Sequence, residues 1–354
     1  MTRRDLLPET RRAASDPARG SALIIALWTI GLLSMLVVSF AFDAHLEGKA
    51  ASSARHRREA EYIALSGIPV AEMLLDKQRG VDVEADPADV ADDPWHAPAV
   101  SLKTGRGFAG LVISNEAFNG TLTLDMEPEP GRRNVNKLSD DDWERILTVA
   151  GVPEDYFPEL IDSFFDWIDD DSVPRADGAE TEDYYEELDP PYRARNAPVD
   201  TVRELLLVKG FNEAILSGGV LNPGDPEESW IRISGIQDML TTYGDGLVNV
   251  NAAGARVLQT LPEVDEIVAG AIIEERERGK TGGGEADDTS FTSVGDLTSR
   301  IPDLPPSIGS YVAMRSDIYR LTAVGHVGRV TRRVWAIVHH DGNAMRILRW
   351  REEP

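Results

Sequence analysis

The densest chemistry in the chain lies between Asp166 and Glu187, DWIDDDSVPRADGAETEDYYEE, where Asp166, Asp169, Asp170, Asp171, Asp177, Glu180, Glu182, Asp183, Glu186 and Glu187 put ten carboxylates into 22 residues. At neutral pH such groups repel one another unless they are solvated, protonated or bridged by cations. Hard oxygen ligands with Gly178 as a tight turn suit Ca²⁺, although the spacing is not that of an EF-hand. Three readings are open from the residues: a solvated acidic loop, a Ca²⁺ site, or a pair of carboxylates doing acid–base work. Trp167, Tyr184, Tyr185, Pro190, Pro191 and Tyr192 in and around the stretch predict a loop packed down on a core. A packed acidic loop needs a counterion.

Elsewhere the signals for catalysis are thin. His45, His56, His96, His326, His339 and His340 form no HExxH or other zinc spacing, and no GxSxG is present. His339-His340 closes a strand-like run, where one side chain faces in and the next out, and reads as structural. TGGGE at 281–285 is Gly-rich but lacks the Lys and preceding strand of a phosphate loop, so it reads as a linker. NVNAAGARVLQTLPEVDEIVAGAIIEERERG is similar to the helix-hairpin-helix segment of competence-type DNA receptors. Its turn is Pro262-Glu263-Val264-Asp265, which sets two carboxylates where a phosphate would approach and marks a packing module rather than a DNA site. A net charge of −25 and a pI near 4.6 also weigh against nucleic acid and anionic lipid. The chain has no Cys, which removes disulfides and thiolate chemistry together.

What must position the acidic loop starts at the N-terminus. Ser21 to Phe42, SALIIALWTIGLLSMLVVSFAF, holds 22 residues without a charge. As a helix it would be about 33 Å long, enough to span a bilayer's hydrocarbon core. Arg3, Arg4, Arg11, Arg12 and Arg19 outnumber the acids before it, so the N-terminus should stay cytoplasmic and the remainder should be translocated. One reading is a simple signal anchor. The other rests on the junction ARG/SALII, which resembles a prepilin-type leader cut after Gly20 to leave Ser21 as the new N-terminus. In that class the fifth mature residue is usually Glu; here it is Ile25.

Beyond the apolar span, Ala60, Ala64, Ile68, Ala71, Leu74 and Leu75 recur at helical spacing and predict an amphipathic stem that Gly67 and Pro69 should loosen. The acidic, Pro-rich run from Gly80 to Pro98 reads as loop. Strands are expected at 107–114 and 121–127, joined through Asn119-Gly120, and again at 317–327, 329–340 and 344–350. The block between, 134–310, reads as helical. Inside it NVN occurs at Asn134 and at Asn249, each time before two helix candidates, a weak internal repeat of paired helices. Early and late strands should form one sheet on the stem, since isolated hairpins are marginal. The expected class is α+β: a pilin-like helix packed on an antiparallel sheet, with a large inserted all-α domain of helix-hairpin-helix or sterile-alpha-motif type. The boundaries expected are 1–20 leader, 21–42 transmembrane part, 43–79 stem, 80–133 first part of the head, 134–310 insert and 311–354 closing strands.

Taken together, RGSALIIALWTIGLLSMLV, the run DWIDDDSVPRADGAETEDYY, LDPPYRARNAPVDTVRELLLVKG and VNVNAAGARVL resemble the general secretion pathway protein K family, the large minor pseudopilin of type II secretion. The resemblance implies a non-enzymatic, single-pass inner-membrane protein with a periplasmic head that caps the pseudopilus tip. It also implies a Ca²⁺-binding loop, and as partners other minor pseudopilins, the major pseudopilin, the prepilin peptidase and, at the tip, secreted protein cargo. The family also lacks the fifth-position Glu, which fits a cap with no subunit above it. Asp169, Asp171, Glu180 and Asp183 are the expected Ca²⁺ ligands because they bracket Gly178. Runner-up readings are a membrane-anchored DNA-uptake receptor or another type IV pilus-like minor subunit.

Overall fold

The computed structural model describes residues 17–85, 90, 92–115, 120–221, 230–278 and 289–353. Most of the leader (1–16), the TGGGE stretch, residues 116–119 of the first hairpin and part of the acidic 80–98 run lie outside the described residues. The chain divides into two compact units, Met1–Arg58 and Glu59–Pro354.

Helix α1 runs Pro17–Leu65. It begins ahead of the Gly20–Ser21 junction, at a proline whose fixed φ and missing N–H suit the first helical position. Its stretch from Leu23 to Phe42 presents its large apolar side chains to the outside, with Trp28 68% and Phe40 74% exposed. By length and composition it can cross a membrane. α1 ends before Ser66, and α2 (Gly67–Lys77) starts at once. Pro69 has no N–H to give the carbonyl of Leu65, so the expected loosening falls where Gly67 and Pro69 place it.

After α2 come α3 (His96–Lys103), β1 (Phe108–Asn115) and β2 (Gly120–Pro128). The middle of the chain carries β3 (Arg133–Asn134), α4 (Asp140–Ala150), α5 (Phe157–Ile168), α6 (Glu213–Ser217), β4 (Gly219–Leu221), β5 (Ile231–Ile233), β6 (Leu240–Thr241), β7 (Val248–Asn249), α7 (Ala255–Leu258), α8 (Glu266–Glu277), α9 (Val294–Arg300) and β8 (Val312–Ala313). Three strands close it: β9 (Ile318–Val327), β10 (Val330–His340) and β11 (Met345–Glu353).

Early and late strands do join, in one five-stranded antiparallel sheet of order β1-β2-β9-β10-β11. Alternation decides which face is buried. Leu122, Leu124 and Met126 of β2, Tyr319, Leu321 and Ala323 of β9, and Ala336 and Val338 of β10 meet Ala71, Leu74 and Leu75 of α2 and Leu102 of α3. The helix comes very close to the sheet. A Cβ on Gly325 would lie 2.0 Å from the carbonyl oxygen of Ala60, and one on Gly67 would lie 2.4 Å from the Cβ of Ala323. Glycine at 325 lets backbone pack on backbone, and glycine at 67 leaves room for the methyl of Ala323.

A second core fills residues 135–312, built on Trp143, Phe164, Tyr185, Leu205, Ile236 and Leu258 among others. This block is less purely helical than its sequence suggests. The parallel pairs β3–β6 and β7–β8 and the antiparallel pair β4–β5 run through it. Val202–Leu207 within the predicted VDTVRELLLVKG helix is 3-10, and the helix after the second NVN shrinks to α7.

The internal repeat is real and has a hydrogen-bond signature. Asn134 Oδ1 accepts from the Asn136 amide, and Asn249 Oδ1 from the Asn251 amide, each at 3.0 Å. The third residue of each NVN then grips a distant backbone on both sides. Asn136 accepts from Val199 N–H and donates to Val199 C=O; Asn251 accepts from Phe291 N–H and donates to Phe291 C=O. In both copies a short helical segment follows the gripped residue, Val202–Leu207 or α9. Each NVN also opens on a strand whose parallel partner closes the copy, β6 or β8. Asn251 donates in addition to Thr104 C=O and Met314 C=O, and it is 4% exposed. Asn251→Ala should therefore cost about 3 kcal/mol in urea unfolding, because it strands several buried backbone groups. Asn136→Ala, at a more exposed clasp, should cost less. Equal and negligible losses from both would mean the clasps do not hold the fold.

Glu129, only 1% exposed, ties the sheet to this block. Arg320 grips its carboxylate through Nε at 2.8 Å and NH2 at 2.7 Å, and Thr241 donates to it at 2.6 Å.

Candidate metal centre in the acidic loop

The first copy of the repeat holds the acidic loop between α5 and the Asn136 clasp. Amphipathic α5 ends by delivering Asp166 and Trp167 inward, 0% and 2% exposed. The loop then folds back over its own helix. Asp166 accepts the amides of Arg175 and Ala179, and Asp177 N–H donates to Asp162. Gly178 is needed here for closeness rather than for a left-handed turn: a Cβ would sit 1.8 Å from Asp166 Oδ2. Lys209 closes the wrap from outside by donating to the carbonyls of Asp177 and Gly178.

The aromatic residues lie under the loop, as their company in the sequence suggested. Tyr185 is fully buried, with ring centroids 5.1 Å from Trp167 and 5.3 Å from Tyr192. Its hydroxyl accepts from Lys209 N–H, and burial pushes its pKa far up.

Within this wrap the structure brings Asp169, Asp171 and Glu180 together, one carboxylate oxygen from each lying within 4.8 Å of the others. Asp183, the fourth expected ligand, is not in the group. Its Oδ1 accepts the backbone N–H of Glu180 at 3.0 Å, so it caps the turn on which Glu180 is mounted. The sequence placed it near Gly178 but could not show that its oxygen was already engaged.

Two features say the three carboxylates lack something. Glu180 is 3% exposed, yet its Oε1 and the Oδ1 of Asp169 are buried without a hydrogen-bond partner among the described residues. Their charges are also held at a disadvantage. Burial first, and then the charge of Asp171, raises the pKa of Asp169; burial, and then Asp166, Asp169 and Asp171, raises that of Glu180. Buried, unpaired, mutually repelling oxygens are what a hard divalent cation relieves, so the residues present fit Ca²⁺.

Asn196 is the residue that sequence reasoning missed. It holds a left-handed φ of 48°, donates Nδ2 to Asp171 C=O and N–H to Trp167 C=O, and keeps a buried Oδ1 with no partner among the described residues. A polar residue that tolerates left-handed backbone, in the RNAP stretch after the loop, was the available signal.

The other candidates resolve into structural roles. His339 Nε2 meets Asp317 at 3.0 Å, and buried His340 meets Asp76 at 3.4 Å. Asp265 caps α8 by accepting from Val268 N–H, and Glu263 occupies φ 58°, so the hairpin turn spends its carboxylate on its own helix.

Comparison with known proteins then places the chain. Residues 123–218, which contain the acidic loop, match the family model for type II secretion system protein K. The type II secretion system protein K of Pseudomonas aeruginosa is 27% identical over 303 residues, 82% of this chain and 79% of that relative. The protein of the same name from Pectobacterium carotovorum is 27% identical over 209 residues, and the match spans 58% of its length. The fold is similar, with a TM-score of 0.56 and 12% identity, to a chain in the crystal structure of the GspK-GspI-GspJ complex from the enterotoxigenic Escherichia coli type 2 secretion system, covering 86% of this chain and 99% of that one. In sequence over residues 123–218 and in fold, the chain is thus similar to type II secretion system protein K.

Proposed function

We propose that the chain is the minor pseudopilin that caps a periplasmic type II pseudopilus, anchored by α1 and assembled with two other minor pseudopilins. The observation that carries this reading is α1 itself: an uncharged stretch with its large apolar side chains exposed must be covered by lipid before assembly and by neighbouring helices after it. That a similar fold occurs in a complex of three such proteins supports the choice of partners. The N-terminus stays cytoplasmic, and the residues after the apolar stretch lie in the periplasm. Prepilin peptidase cuts between Gly20 and Ser21, the major pseudopilin packs below, and secreted cargo meets the tip. No catalytic role is assigned to the chain.

In this reading Asp169, Asp171 and Glu180, with Asn196 beside them, hold Ca²⁺. The ion supplies positive charge to oxygens that are otherwise buried against one another, and the loop is thereby fixed on Trp167 and Tyr185.

Mass spectrometry of the mature chain from membranes tests the assembly reading. The expected N-terminus is Ser21, with or without methylation. An intact Met1, or a start beyond Phe42, would refute processing at Gly20.

A further inference from the structure

At one end of the sheet a cavity of about 410 Å³ opens between the end of α2, the end of α3, the segment entering β9 and the β10–β11 turn. Its size is that of a small-ligand site. Leu102, Tyr319 and His340 in its wall are 1%, 2% and 6% exposed, and the cations Arg79, Lys103 and Arg315 line it as well.

Not all of these charges are spoken for. Lys103 donates Nζ to Val81 C=O at 2.6 Å, and Asp317, the carboxylate of the wall, lies 3.0 Å from His339 Nε2. The guanidinium groups of Arg79 and Arg315 have no hydrogen-bond or ion-pair partner among the described residues. In a chain with 61 carboxylates against 36 Lys and Arg, acids are in large excess, so partners for arginine are plentiful. Arg79 and Arg315 bring two guanidinium groups without a partner among the described residues to the same cavity. A cation near the end of α3 could be explained by the helix dipole, but Arg315 belongs to no helix.

Guanidinium forks match planar or tetrahedral oxyanions, which they hold through paired N–H donors. We propose that this pocket binds a compact oxyanion, the carboxylate of a peptide end or a phosphate group, between Arg79 and Arg315. The proposal does not rest on the pseudopilin reading, since the pocket is separate from the acidic loop and from α1.

Isothermal titration of the full-length chain in an uncharged detergent, with inorganic phosphate, N-acetyl-diglycine and N-acetyl-diglycine amide, tests it. The expected result is saturable binding of phosphate or of N-acetyl-diglycine, weakened at least tenfold in R79A/R315A. Both arginines are exposed, so that variant should melt as the parent does. If it melts early, R79K/R315K keeps the charges but loses the forks, and should still bind at least threefold more weakly. N-acetyl-diglycine binding without its amide identifies the carboxylate source, and phosphate binding alone identifies the other. The proposal is overturned if neither anion saturates the parent, or if the arginine variants bind as tightly as it does.

Discussion

Millimolar Ca²⁺ should raise the melting temperature of the full-length chain above its value in EDTA, and Asp169→Ala with Glu180→Ala should erase the difference. The reason is linkage. A ligand that binds only the folded state at about 100 times its Kd adds about 2.7 kcal/mol, which is roughly 5–10 °C for a domain of this size. Differential scanning fluorimetry or calorimetry in detergent reads it directly. Asp183→Ala separates ligand from scaffold: its carboxylate caps the Glu180 turn, so its loss should lower both melting temperatures by a similar amount and leave the Ca²⁺ shift standing. A Ca²⁺ shift that survives in the Asp169/Glu180 double variant would dismiss the site.

Protons should compete with the ion. Asp169 and Glu180 carry pKa values raised in the fold, so the folded apo chain binds protons more tightly than the unfolded chain. In EDTA these two groups should therefore contribute stability as pH falls through the window between their raised values and the ordinary ~4. In Ca²⁺ the same fall displaces the cation and reverses that gain. The melting-temperature difference between Ca²⁺ and EDTA should shrink on acidification.

The second large effect is expected at Arg133. This guanidinium, in a residue 3% exposed, meets Asp142 at 2.5 Å and donates to Thr260 C=O at 3.0 Å, so it ties the first helix of one repeat copy to the second copy. Ser139 and Arg145 also bond to Asp142. Burial pushes the Asp142 pKa up, but the charge of Arg133 and these hydrogen bonds outweigh it and hold the group below the usual carboxylate range. Arg133→Ala leaves Asp142 and the Thr260 carbonyl buried with fewer partners and should cost about 3–5 kcal/mol, or roughly 10 °C. Replacing both residues, as Arg133→Met with Asp142→Leu, should recover much of the loss, since a packed apolar pair can match a buried ion pair. A depressed pKa gives stability that is present above the unfolded value of ~4 and lost as pH falls through the folded one. Arg133→Ala should flatten that acid limb. A loss below about 1 kcal/mol would show that the pair does not join the copies.

Much of this fold could be read from the sequence because its strands bury one face. Alternation over 318–327 and 330–340 sets the buried set of β9 and β10 nearly residue by residue, and each side of the sheet demands a different chemistry. The helical block was harder. Val199–Gly210 has helical composition, but Asn136 fixes the backbone of Val199, and only a 3-10 stretch forms after it. Pro262 similarly limits what can follow Ala255–Leu258. At the candidate metal centre, carboxylate density pointed to the loop in which Asp169, Asp171 and Glu180 come together. It could not rank the carboxylates, because Asp166 is consumed by backbone amides and Asp183 by a cap, and such assignments depend on which way the loop wraps.

The paired asparagine clasps also bear on how this protein can vary. Each copy pins the chain on both sides of one slot, with the helix pair before it and Val199 or Phe291 after it. The acidic loop fills the slot of the first copy; in the second, the sequence between α8 and Phe291 carries the Gly-rich TGGGE. Closure entropy grows only with the logarithm of loop length, so a slot with fixed ends tolerates insertion at little cost. A duplicated frame of this kind gives a lineage two sockets in which a binding loop can be gained, lengthened or lost while the scaffold that carries it stays folded.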